Sequence, residues 1–215
     1  MAGLVPIPRR RLDPVIVTLP AGTRLWRVHA GTSAPLDFSV SSRETRFGPL
    51  SASDGARIPI WYGASDEEGA VFESVFHDVP IGAAHPQVLY AEFAARLLSP
   101  LVTTSELRLV DLTSEGLRRL RVQRTQLIET TSKQYPRTRK WAEALRESDP
   151  ESAGLWWVAR LHDTSQAVVL FGDRVAPGAI IEDESALAPI PLGIGRGLDL
   201  VERLAVRADI TIVFP

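Results

Sequence analysis

The sequence predicts an α+β fold in a single domain over residues 1–215, with the core starting near residue 15 and a flexible arm over residues 1–14. Short segments of strand character are interspersed with short helical ones. A doubly wound parallel sheet would instead need a regular alternation of strands with crossover helices of about a dozen residues. Hydrophobic residues make up 45% of the chain and charged residues 23%, enough apolar material for a packed core and too much for a disordered chain. No linker divides the chain into two units, and no segment recurs at a fixed period.

The elements follow from local pattern. Val15 to Leu19 and Leu25 to His29 are β-rich, and a long irregular stretch from Ala30 to Pro59 follows, rich in Ser, Gly, Pro and Arg. Loops of such length usually carry function or are disordered. Ile60 to Gly63 reads as a short strand running into Ser65, which with Glu68 three residues on matches a capping box. The helix so started extends over Asp66 to His77, with Ala70, Phe72, Val75 and Phe76 on its apolar faces, and ends before Pro80. Gln87 to Phe93 and Leu107 to Leu112 suit strands, the second leading through Thr113 and Ser114 into a short helix ending at Leu120. Gln134 to Glu147 is helix-compatible around Trp141, with Pro150 as a stop. Leu155 to Ala159 and Gln166 to Phe171 are the strongest strand signals and read as neighbours across the loop His162 to Ser165. A helix over Leu198 to Val206 and a strand over Ile210 to Phe214 complete the chain.

Charge and composition exclude several functions. With 24 Lys plus Arg against 26 Asp plus Glu, the net charge of -2 gives no field for nucleic-acid binding. No apolar run approaches the roughly 20 residues of a membrane span. Val15 to Leu19 is too short for the apolar part of an export signal, so a cytoplasmic location is expected. The absence of cysteine removes disulfides, thiolate metal sites and a cysteine nucleophile. The four histidines, at 29, 77, 85 and 162, form no His-x-x-x-His pair, so no metal site is expected.

Among candidate motifs, Gly193-Ile194-Gly195-Arg196-Gly197 fits neither G-x-G-x-x-G nor the Walker spacing and no strand is expected before it, so it reads as a turn before a helix. Gly-x-Ser-x-Gly is absent, which argues against a serine hydrolase. A pair of carboxylates acting on a glycosidic bond stays open, because a sequence gives no separations. Alternation on the strand Leu25-Trp26-Arg27-Val28-His29 places Leu25, Arg27 and His29 on one face and Trp26 and Val28 on the other. An arginine on such a strand is either solvated at an edge or needs an acidic partner or anionic ligand. Glu73, read as mid-helix, is either part of a solvent stripe or a functional carboxylate.

Several segments, in order, resemble the RES-domain family, the toxin half of a class of bacterial toxin–antitoxin systems named for an Arg, a Glu and a Ser. They are Leu25-Trp26-Arg27-Val28, Arg46-Phe47-Gly48-Pro49, Trp61-Tyr62-Gly63-Ala64-Ser65, Ala70-Val71-Phe72-Glu73, Gly154-Leu155-Trp156-Trp157-Val158-Ala159-Arg160 and Ala167-Val168-Val169-Leu170-Phe171. The resemblance implies a fold like that of ADP-ribosyltransferases, with a split, mostly antiparallel β core forming a cleft for NAD as substrate and needing no cofactor. It makes Glu73 the catalytic glutamate, Arg27 the family's arginine on an anionic part of NAD, Arg46 a second phosphate contact and Tyr62 an aromatic face for nicotinamide or its ribose. Arg160 joins the substrate-binding set beside Ala159. The implied reaction cleaves the nicotinamide–ribose bond, by hydrolysis or phosphorolysis, or transfers ADP-ribose to a protein target. The implied partner is an Xre-type helix-turn-helix antitoxin that carries the DNA contact.

At one position the chain departs from the pattern: Ala159 stands where the family's serine is aligned. The lost hydroxyl is worth roughly 0.5–1.5 kcal/mol when its partner can be resolvated. Ser165 or a threonine from the same loop would substitute for it. Otherwise the chain is a catalytically impaired RES-like domain acting as a binding or regulatory module.

Overall fold

The computed structural model describes residues 4–52, 54–185 and 189–215. The strands are β1 (Ile16–Leu19), β2 (Arg24–Ala30), β3 (Leu50–Ser51), β4 (Arg57–Ile58), β5 (Ile60–Ala64), β6 (Gln87–Leu89), β7 (Arg96–Thr103), β8 (Leu107–Asp111), β9 (Gly154–Val158), β10 (Gln166–Phe171), β11 (Ile180–Glu182), β12 (Ile190–Pro191) and β13 (Thr211–Val213). The helices are α1 (Glu67–Phe72), α2 (Ser114–Leu120), α3 (Arg124–Leu127), α4 (Tyr135–Ser148) and α5 (Gly195–Arg207), with single 3-10 turns at Tyr90–Glu92 and Ser132–Gln134. The fold is a single α+β domain built on a nine-stranded sheet in the order β1-β8-β9-β10-β5-β2-β7-β11, with β12 also paired to β7. Every pairing in that sheet is antiparallel except β8 with β9.

The sheet is split at its middle. β10 and β5 share five register pairs, and β2 and β7 share seven. β2 and β5 meet at the single pair Trp26↔Ala64. Beyond that point the two halves diverge. Gly63, next to the bridge, lets the strands close up there: a Cβ at that position would lie 2.3 Å from the Trp61 ring and 3.0 Å from the Trp26 carbonyl. Only glycine lets the two backbones approach so closely.

Strand alternation sends successive side chains to opposite faces and so builds separate apolar clusters. On one face of the first half, Leu155, Trp157, Ala167, Val169 and Phe171 pack under α2 to α4, with Trp141 and Leu145. On the second half, Trp26, Val28 and Leu98 pack against α1, the turn that follows it and α5 through Phe72, Phe76, Leu200 and Leu204. The opposite face collects Leu25, Trp61, Leu101, Leu109, Val168 and Leu170 under the loop residues Leu36 and Phe38. The cleft therefore opens where two helical layers part over the split.

Several local expectations are corrected. The cap of α1 is Asp66, whose Oδ1 accepts the Gly69 N–H at 2.7 Å, rather than Ser65. The Ser65 hydroxyl instead donates to Asp66 and accepts from the Gln166 N–H, tying the helix start to β10. The helix stops at Phe72, so Glu73 is its C-cap. β7 runs eight residues through Pro100 although no strand pattern marks it, because a central proline reads against a strand. The long loop is ordered by the β3–β4 pair and by a bridge between Ser39 and Ile60. The arm expected to be flexible is anchored over part of its length: Val5 is fully buried, and the Trp141 indole donates to the Pro6 carbonyl at 2.7 Å. Residues 1–3 of that arm lie outside the described residues. The glycine cluster is a turn into α5, although the two-residue strand β12 does precede it. A Cβ on Gly197 would come within 2.0 Å of the Pro191 carbonyl, so close packing of helix on strand accounts for that glycine. Among the described residues, no helix is long and apolar enough to cross a membrane.

Candidate functional site

A cleft of about 550 Å³ lies over the split, lined by Trp26 and Val28 of β2, Tyr62 and Gly63 of β5, Trp157 and Ala167 of the neighbouring strands, the end of α1 and the start of α4. Its charged lining is Arg43, Glu44, Arg46, Glu73, Asp78 and Arg96.

Glu73 reaches the cleft because α1 ends one residue before it. Its Oε1 accepts the Arg160 backbone N–H at 2.5 Å, and its Oε2 stands 3.8 Å from Arg46 Nη1. The carboxylate is thus held by a backbone donor and balanced by one cation. Arg46 comes from the long loop and is almost fully buried. Its carbonyl accepts from the Thr138 hydroxyl of α4, while its Nε and Nη2 have no hydrogen-bond partner among the described residues. Unpaired buried donors are costly, so they mark a place where an acceptor is due.

Tyr62 holds the loop in place. Its hydroxyl lies 2.8 Å from Thr45 Oγ1 and accepts the Phe47 N–H at 3.3 Å. Burial pushes its phenol up to about 12, against the opposing pull of those hydrogen bonds and of Arg46. The hydroxyl stays protonated, and the ring faces the cleft as an aromatic surface. Tyr135, at the start of α4, supplies a second ring, its hydroxyl 3.3 Å from His77 Nε2, and burial raises its pKa as well.

The sequence-derived set therefore divides. Arg46, Tyr62 and Glu73 come together in the cleft. Arg27 does not, because alternation on β2 turns it away from Trp26 and Val28. Its guanidinium lies 5.5 Å from the centre of the Trp61 ring and donates to the Pro35 and Asp37 carbonyls at 2.9 and 2.7 Å. Burial lowers its pKa to about 10, with Asp37 acting in the other direction. Arg27 pins the loop over the far face of the sheet.

Arg160 touches the site through its backbone N–H, and its side chain donates to the His77 carbonyl at 3.4 Å. Ala159 is fully buried, and its carbonyl accepts from Arg124 Nη2 at 2.9 Å. Neither side chain is part of the cleft lining. Ser165 is also buried elsewhere, donating to Asp66 Oδ1 at 2.7 Å and lying 2.6 Å from His162 Nδ1. The serines that do line the cleft are Ser74 and Ser132. Ser132, on the 3-10 turn leading into α4, was missed together with Tyr135 and Arg96. No motif surrounds them, and only the docking of α4 and β7 against the split brings them in.

A family model for the RES domain matches residues 24–190. No curated protein matches the chain. The fold is similar to that of a chain in the crystal structure of the M. tuberculosis MbcT–MbcA toxin–antitoxin complex, with a TM-score of 0.59 and 13% sequence identity, covering 88% of this chain and 92% of that one. The match over most of the chain and the glutamate-bearing cleft lead to one conclusion: the protein belongs to the RES-domain family.

Proposed function

We propose that the protein is the toxin of a bacterial toxin–antitoxin pair and acts in the cytoplasm by cleaving the nicotinamide–ribose bond of NAD. The observation that carries this reading is Glu73, held by the Arg160 N–H in a cleft walled by Tyr62 and Tyr135. RES membership supports the NAD reading, since toxins of this family generally act on NAD, and the fold shared with a chain of a toxin–antitoxin complex supports the pairing with an antitoxin.

The chemistry suits the residues. As the glycosidic bond breaks, nicotinamide leaves with the bonding electrons as a neutral molecule, and the ribose C1 takes on oxocarbenium character. A fixed carboxylate beside that carbon stabilises the developing positive charge. The two aromatic rings offer faces for the nicotinamide and its ribose, and the Arg46 guanidinium in the cleft wall places a positive charge beside Glu73. Water as nucleophile gives hydrolysis, phosphate gives phosphorolysis, and a protein side chain gives ADP-ribosylation. An enzyme that depletes NAD must be restrained in its own cell, and an Xre-type antitoxin covering the cleft would do so. The impaired-module reading rests on Ala159, which is not among the residues lining the cleft but directly precedes Arg160, the donor to Glu73.

The test is incubation of the purified protein with NAD, with and without phosphate and cell lysate, following free nicotinamide and protein-bound ADP-ribose. Nicotinamide release is expected from the wild type and should fall by about 10²–10³-fold in Glu73→Gln. Release from a folded Glu73→Gln protein at the wild-type rate would remove Glu73 from catalysis.

A further inference from the structure

Arg160 gives Glu73 its backbone donor, yet Arg160 lies on the turn between β9 and β10, outside regular structure, so that turn must be held against the end of α1. One flank is fixed from α3, where the Arg124 guanidinium donates to the Val158 and Ala159 carbonyls at 3.3 and 2.9 Å. The other flank is fixed by His162, whose side chain is mostly buried and touches α1 at both of its ends. Its Nε2 lies 3.1 Å from Glu68 Oε2 in the first turn, and its ring stacks on Phe72, the last residue of the helix, with centroids 5.0 Å apart. The Nδ1 side lies against Ser165 Oγ, which in turn donates to Asp66, the cap of the same helix. Backbone bonds close the turn itself: the Ala159 N–H donates to the Ser165 carbonyl at 2.9 Å and the Ser165 N–H to the His162 carbonyl at 3.0 Å. Gly69 permits this approach, since a Cβ there would lie 2.6 Å from the Ser165 Cβ. Turn and helix are thus joined at two consecutive positions of α1, His162 on Phe72 and Arg160 on Glu73.

We infer that His162 is a positioning residue for the cleft glutamate: by clamping the β9–β10 turn to α1 it sets where the Arg160 N–H points and so where the Glu73 carboxylate stands. The inference rests on the reading of Glu73 as the reacting group. His162 is not part of the cleft lining, so it acts through Arg160 rather than on a substrate. Its leverage is distance, because a displacement of about 1 Å at a reacting group costs about a hundredfold in rate. Binding of substrate is set by the cleft walls, which the clamp does not touch, so loosening it lowers kcat and leaves KM in place. Glu68 also accepts from Arg207 of α5 at 2.7 Å, which keeps the acceptor for His162 in position. The clamp needs no hydroxyl at position 159.

Amide hydrogen exchange followed by NMR without NAD tests the clamp, and steady-state nicotinamide release tests its use. The proteins are the wild type, His162→Ala, Glu68→Gln and, as a control, Arg196→Gln, which breaks another contact of α5 with α1, to Glu67 at 2.6 Å, without touching His162. In His162→Ala the Arg160 amide should exchange about tenfold faster than in the wild type while the amides of β10 keep their rates. Over the same pair of proteins kcat should fall about tenfold with KM within about twofold. Glu68→Gln should show the same pattern to a smaller extent, and Arg196→Gln should show neither change. If His162→Ala does not fold, Glu68→Gln decides. Unchanged Arg160 exchange in the variants would overturn the inference, and so would an equal acceleration across β10, which marks a general loss of stability. A raised KM with kcat retained would also overturn it. If Arg160 exchange rises selectively but the wild type releases no nicotinamide, the clamp stands and the NAD reading falls. If the wild type releases nicotinamide and neither variant changes kcat, the NAD reading stands and the positioning role falls.

Discussion

Arg27 and Arg46 lie on opposite faces of the same sheet and meet opposite conditions. Arg27 is sandwiched between the Trp61 ring and two loop carbonyls, with its donors directed into the protein's own backbone. Arg46 is more deeply buried, at 3% exposure, yet two of its nitrogens have no partner among the described residues, and its carboxylate neighbour stands at 3.8 Å. The fold satisfies one guanidinium and leaves the other wanting an acceptor. A satisfied buried cation stabilises the chain, whereas an unsatisfied one on a cleft costs stability that a ligand can return. Partnering, rather than burial or residue type, distinguishes the two arginines.

The sharpest way to break that contrast is to neutralise each arginine in turn. Arg46→Gln should lower nicotinamide release from NAD by about a hundredfold with little loss of stability. Arg27→Gln should cost about 2–4 kcal/mol in denaturant unfolding, through two charge-assisted hydrogen bonds and the ring contact, while the activity of the folded fraction stays within about twofold. A folded but inactive Arg27→Gln protein would return Arg27 to the cleft and end the distinction.

A smaller effect sharpens the same point with hydroxyls. Ser132→Ala should leave the melting temperature in place and reduce turnover by about two- to tenfold, the worth of one hydrogen bond. Ala159→Ser adds a hydroxyl at a fully buried site and should destabilise by about 1–3 kcal/mol without raising turnover. A gain in turnover would show that position 159 communicates with the cleft.

The smallest expected effect concerns Asp66, whose charge is opposed by burial but favoured more strongly by hydrogen bonds from Gly69, Ser165 and Ser65, so that its pKa is lowered. A depressed carboxyl pKa stabilises the fold above its unfolded value of about 4 and loses that contribution as the pH falls through the folded value. Unfolding followed between pH 6 and pH 3 should therefore show a shallower acid decline in Asp66→Asn than in the wild type. Parallel curves would mean that other carboxylates dominate the acid response.

Much of the architecture was legible beforehand, because strands buried on alternating or both faces leave a local hydrophobic signature. Gln166 to Phe171 was read to the residue, and its antiparallel partner was displaced by one. β7 escaped because Pro100 and Ser99 break the pattern, and its place between β2 and β11 comes from pairing with residues far away in the chain. The ends of α1 were misplaced for a related reason. Ser65 has the right type for a cap, but its hydroxyl is engaged by Asp66 and by Gln166 of β10, about a hundred residues away.

By itself, the sequence determined the α+β class, the family and three of the cleft's residues, Arg46, Tyr62 and Glu73. These rest on residue type and on order along the chain, which need no coordinates. Tertiary structure decided that Arg27 faces Trp61, that Ala159 sits outside the cleft, and that Ser132, Tyr135 and Arg96 sit inside it. The physical reason is the split: β2 and β5 meet at one residue pair, and the groups that fill the gap come from α1, α4, β7 and a loop with no common local pattern. Which face of a strand looks into that gap depends on where the halves part, a property of the assembled sheet.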